Sequence, residues 1–188
     1  MNKNAINKPS EEPPQETASI FIENTDSDFQ INEEKISNFV SSVLGFYNLD
    51  HYEINISFVT ANKIQELNHE YRLKDKPTDV LSFPQTEFHS PVERDSAPKH
   101  SEIHNILGDL VVSLEVAGKN AESIGHSLSR ETAFLLIHGI LHLGGHDHKA
   151  PAEEKVMIDE QKFILATLDE TPDTSSILEE LVSIGGAN

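Results

Sequence analysis

The stretch from His138 to His148 reads His-Gly-Ile-Leu-His-Leu-Gly-Gly-His-Asp-His and narrows the chain's options more than any other. Phe134, Leu135, Leu136, Ile137, Ile140 and Leu141 flank or fill its first half, a composition that suits a buried helix. Positions i and i+4 share a helical face, so His138 and His142 point the same way. A lone histidine on such a face is ordinarily a packed or surface residue with its hydrogen bond made. A pair at helical spacing, followed by a helix stop and more imidazoles, is better explained as a metal site. Gly144 and Gly145 supply the stop, because glycine takes the left-handed conformation that helix ends favour. Beyond them the chain can fold back and offer His148 as a third ligand. His146 either competes for that place or sits exposed in the turn. Three protein ligands plus a water is the pattern of a catalytic zinc rather than a structural one.

The offsets invite comparison with the metzincin proteases, which carry His-Glu-x-x-His-x-x-Gly-x-x-His with the glutamate as general base. Here His138, His142, Gly145 and His148 fall on the same offsets, but the glutamate position is Gly139. The metal-binding pattern survives without the carboxylate that peptide hydrolysis needs, which argues against a peptidase.

At 188 residues the chain is long enough for one domain with a sizeable core. It has no cysteine, which excludes disulfides, thiolate metal sites and cysteine nucleophiles and fits a reducing compartment. The polar start lacks an apolar signal region, and no apolar run is long enough to span a bilayer. These features predict a cytoplasmic protein without a membrane partner. The net charge of −18 argues against broad electrostatic attraction to nucleic acid. More than half of the excess lies in residues 1–30 and 151–188, away from the histidine segment, and reads mostly as solvated surface.

Residues 1–18, with Pro9, Pro13 and Pro14 among acids and amides, read as a disordered tail. Strands are predicted at Ser19 to Ile22, Glu53 to Val59, Asp79 to Phe83 and Ile106 to Leu114. Asn32, Thr60 and Ser127 open helices, the first burying Ile36, Phe39, Val40, Val43 and Leu44. A further helix spans about Glu115 to Ser123. Residues 152–168 form another, whose apolar positions are Val156, Ile158, Phe163, Ile164 and Leu165. Gln85 to Asn105 reads as a flexible surface loop. Residues 169–188 read as a C-terminal extension, mobile or loosely docked, with Ile177, Leu178, Leu181 and Val182 able to form a docked helix. The sum is an α+β single domain over residues 19–168, a small mixed sheet with helices packed around it.

Two other stretches accompany the histidine segment. One runs from Asn68 to Pro84 (Asn-His-Glu-Tyr-Arg-Leu-Lys-Asp-Lys-Pro-Thr-Asp-Val-Leu-Ser-Phe-Pro), the other is Leu107-Gly108-Asp109-Leu110-Val111-Val112-Ser113. Together the three closely resemble the YbeY family of bacterial rRNA maturation factors, metal-dependent endoribonucleases specific for single strands. The resemblance implies a zincin-like fold, with one Zn2+ ion held by His138, His142 and His148 and with Arg72 as the essential arginine. It implies a substrate of single-stranded rRNA in ribosomal particles, for 16S rRNA 3′-end processing and ribosome quality control, and no DNA partner. The chain departs from the family pattern at His146, where tyrosine is common, in both terminal extensions, and in the length of Gln85 to Asn105.

The chemistry of the second stretch agrees with that implication. A histidine-bound zinc polarises a phosphoryl oxygen, and Arg72 can hold two phosphate oxygens in its planar fork. Arg72 could equally be a surface ion pair, and Lys74 and Lys76 are more simply solvated charge. Asp79 and Asp109 could orient ligand histidines, or cap turns. Two other functions fit the same residues: a metal-dependent hydrolase of another substrate, and a non-catalytic ribosome assembly factor with a structural zinc.

Overall fold

The computed structural model describes residues 18–94, 96, 106–170 and 180–185. In it β1 (Ser19–Asn24), β3 (Glu53–Phe58) and β5 (Ile106–Val112) run parallel, and β4 (Val80–Pro84) closes one edge antiparallel to β5. Burial alternates along β1 and β3, whereas β4 and β5 are buried on both faces. Ile54, Ile56, Phe58, Val80, Leu110 and Val112 turn into the main core. Leu81 and Val111 turn the other way, into a small cluster with Val59 and Ile64.

Helix α1 (Glu33–Gly45) starts where the Asn32 side chain accepts from the Lys35 N–H at 3.1 Å, a cap contributing about 1 kcal/mol. Helix α4 (Leu128–Leu143) starts the same way at Ser127. It is buried around most of its circumference, packed against α1, α3 (Leu114–Ile124), α5 (Pro151–Glu170), β4 and β5. Gly139 permits that closeness: a Cβ there would stand 2.6 Å from Leu110 Cδ2. Helix α2 (Ala61–Arg72) covers the small cluster through Ile64 and Leu67. It ends at Leu73, whose left-handed φ of 56° costs about 1–2 kcal/mol without glycine. The Leu73 and Lys74 N–H groups donate back to His69 and Asn68. This α+β arrangement, one small mixed sheet with helices around it, is the zincin-like single domain expected. Among the described residues no helix is long and apolar enough to cross a membrane.

Three local expectations change. The inward stripe of α5 is Met157, Gln161, Ile164, Leu165 and Leu168, whereas Val156, Ile158 and Phe163 face outward. The expected flexible loop is fastened over its first half. Thr86 and Val92 are buried, and the Val92 N–H donates to the Gly144 carbonyl at 2.9 Å; residues 95 and 97–105 lie outside the described residues. Near the C-terminus, Val182–Ile184 is not helical but a strand, β6, antiparallel to β2 (Phe29–Ile31), with Leu181 in the core. Residues 171–179, where the rest of the docked helix was expected, and 1–17 of the expected N-terminal tail lie outside the described residues.

Candidate metal centre

The apolar run that buries α4 carries His138 and His142 to its last turns, on one face. Gly144 caps the helix at φ −79°, and Gly145 at φ 87° makes the left-handed turn that sends the chain back past them. His148 returns on that turn. The three rings then offer nitrogen atoms that all lie within 4.8 Å of one another, a group that could hold a metal ion.

Hydrogen bonds prepare the two helical histidines for that task. His142 Nδ1 is 2.9 Å from the His146 carbonyl, which only accepts, so the proton sits on Nδ1 and Nε2 keeps its lone pair. That lone pair faces His138 Nε2 at 3.1 Å. On the far side of the His138 ring, Nδ1 lies 2.8 Å from the amide of buried Gln161. An amide offers a donor or an acceptor, depending on which way it is turned. Donating to Nδ1, it leaves a proton on His138 Nε2 for His142 to accept. Turned over, it accepts from Nδ1–H, and two bare Nε2 lone pairs then converge, which is favourable only with a cation between them. The donor set therefore fits a metal.

Electrostatics favours neutral rings in either orientation of the amide. Burial, reinforced by His142 and His148, pushes His138 down to about 4 against an opposing pull from Asp79. Burial likewise lowers His142, with smaller downward contributions from His148 and Arg72. Both shifts favour the neutral ring that a metal ligand must present.

His146 is not part of the group. Its Nε2 donates to the Val92 carbonyl at 2.8 Å, tying the turn after α4 to the segment after β4. The remaining candidates separate clearly. Arg72 lines the same cleft of about 790 Å³ as the three histidines, together with Tyr71, Asp79, β4 and Lys149. Among the described residues it makes no ion pair, whereas Lys149 pairs with Asp147 at 2.6 Å. Lys74 and Lys76 stand outside the cleft lining. Asp109 accepts from Asn55 and Gln85, and Asp79 from Thr78, Asn120 and the Val80 N–H; among the described residues neither bonds a histidine. Sequence reasoning missed Gln161, although a polar residue four positions after Met157 and three before Ile164 interrupts an apolar stripe, and that was the available signal.

Comparison with known proteins gives a consistent picture. The family described as endoribonuclease YbeY matches residues 21–169. A protein named endoribonuclease YbeY from Halalkalibacterium halodurans is 47% identical over 117 residues, covering 61% of this chain and 70% of that one. Its namesake from Acetivibrio thermocellus is 39% identical over 158 residues, covering 80% and 96%. The fold is similar to the solution structure of TM1509 from Thermotoga maritima, with a TM-score of 0.57 at 24% identity over 90% of this chain and 99% of that one.

Proposed function

Because this chain belongs to the endoribonuclease YbeY family, we propose that it is a zinc-dependent endoribonuclease that cuts single-stranded RNA. Its substrate is the rRNA of ribosomal particles in the cytoplasm, during 16S rRNA 3′-end maturation and quality control, with neither DNA nor membrane as a partner. In this reading His138, His142 and His148 hold one zinc ion and Arg72 is the catalytic cation. The observation that carries it is one cleft shared by three convergent imidazoles and an arginine with no ion pair among the described residues.

Bound zinc supplies a Lewis acid for a phosphoryl oxygen and a water whose pKa falls to about 7. The rest is the work of the chain. The His146 carbonyl and the Gln161 amide fix the ring orientations of His142 and His138. Arg72 donates to two oxygens of the scissile phosphate and opposes the negative charge that builds there. Gly139 faces Leu110 and leaves no room for the base a peptidase would require.

The test is an assay of the purified chain on a single-stranded rRNA fragment, its duplex form and a small phosphodiester. Each is run with chelator and after zinc is restored. Cleavage confined to the single strand, lost with chelator and regained with zinc, is expected. Equal turnover of the small phosphodiester would point to a general hydrolase, and chelator-insensitive cleavage would remove zinc from the reading.

A further inference from the structure

Tyr71 occupies the last turn of α2, beside Arg72, and is 60% exposed. A single exposed aromatic is ordinary, but this one differs from the others. Phe21 stands on β1, outside the lining of the cleft, and Phe163 is covered by the Arg94 guanidinium at 3.8 Å. Tyr71 lines the cleft that holds the three histidines, and its ring is braced edge-on by Phe83 of β4, with centroids 5.0 Å apart and planes at 72°. Bracing lowers the entropy lost when a flat ligand lands on the ring, and an edge-to-face contact leaves ring surface uncovered. The left-handed Leu73, 86% exposed, turns the chain away immediately afterwards, so the helix does not continue over the ring.

An uncovered aromatic beside an arginine without an ion pair among the described residues suits a nucleotide, base on the ring and phosphate on the guanidinium. Resting on the RNA-cleaving reading above, we propose that Tyr71, braced by Phe83, is a stacking subsite for the nucleobase next to the phosphate that Arg72 holds. In a duplex both faces of that base are covered by its neighbours. The subsite therefore accepts only an unstacked base, and it selects single strands by shape rather than by sequence.

The chain contains no tryptophan, so Tyr71→Trp installs a unique fluorophore at the subsite. The full-length variant is mixed rapidly with a short single-stranded RNA and read before cleavage. Parallel runs use the same strand with an abasic nucleotide at the centre, and its duplex. Saturable quenching by the intact single strand, largely absent with the abasic strand and the duplex, is expected. Tyr71→Ala should weaken single-strand binding on the order of tenfold, with Tyr71→Phe restoring it. Equal quenching by the abasic strand, or unchanged affinity in Tyr71→Ala, would overturn the subsite. Cleavage by the unmodified chain is scored separately. Cleavage without base-dependent quenching removes the subsite alone, and quenching without cleavage removes the endonuclease reading while the subsite stands.

Discussion

The two walls of the cleft are built on opposite terms. On the histidine wall the two helical ligands and His146 are already engaged, whereas His148 is exposed on the returning turn: His142 is bonded to the His146 carbonyl, His138 to Gln161, and His146 to the Val92 carbonyl. On the other wall Tyr71 and Arg72 are exposed, and Arg72 makes no ion pair among the described residues. The difference teaches where precision is needed. A small ion demands ligand atoms placed within tenths of an ångström, which only a packed, hydrogen-bonded surround provides. A polyanion tolerates a looser grip but must meet a guanidinium not already paired.

That contrast breaks most visibly at His142. His142→Ala should lower metal affinity by more than a hundredfold and abolish cleavage, read by elemental analysis and the RNA assay. Undiminished metal content would remove the histidine wall from the picture. Arg72→Ala should leave metal content intact yet slow cleavage by about 10²–10³, with Arg72→Lys recovering only part because an ammonium lacks the fork. A matching loss of metal would mean the walls are not separable.

The protons of the histidine wall provide a third probe. His138 is held at about 4, below its ordinary 6.5, so the folded chain favours the neutral ring. A depressed value stabilises the fold above pH 6.5, and this contribution fades as pH falls towards 4. Its size is roughly 3 kcal/mol. Thermal midpoints of chelator-treated protein should fall over that window, and His138→Gln should fall less. Parallel curves would contradict the burial of that ring.

Smaller changes sharpen the comparison. Gln161→Leu should weaken metal binding roughly ten- to a hundredfold while the apo fold survives, measured by chelator competition. Unaltered affinity would show that Gln161 only fills space. His146→Phe should cost about 1 kcal/mol, one hydrogen bond, in denaturant titration.

How much of this could be read beforehand follows the range of the forces involved. Helices α1, α2 and α4 announce themselves because caps and apolar spacing act over a few residues: Asn32, Thr60 and Ser127 all cap as expected. The convergence of His138, His142 and His148 was legible for the same reason, since one helix turn and one glycine turn create it. Strands β2 and β6 were not, because three-residue strands carry little pattern and their partners lie far apart in the chain. The stripe of α5 is legible only in part: Ile164 and Leu165 are buried as expected, but Val156, Ile158 and Phe163 are as apolar as the residues that are buried, and only packing against α4 decides which face wins. That ambiguity concealed Gln161. The orientation of His146 depends on Val92, which belongs to a segment with no periodicity at all.

The seat of Gly139 bears on descent as well as on packing. This chain and the metzincin pattern differ in one conspicuous position of the histidine motif, so they look like near neighbours in sequence space. Leu110 stands between them: the Cβ of any larger residue at 139 would fall 2.6 Å from its Cδ2, so the Leu110 side chain must shift before a glutamate fits. The step from one motif to the other is therefore not a change at 139 alone, because it also disturbs the packing of the buried Leu110. A shared histidine signature can thus sit on either side of a barrier that a motif alignment does not reveal.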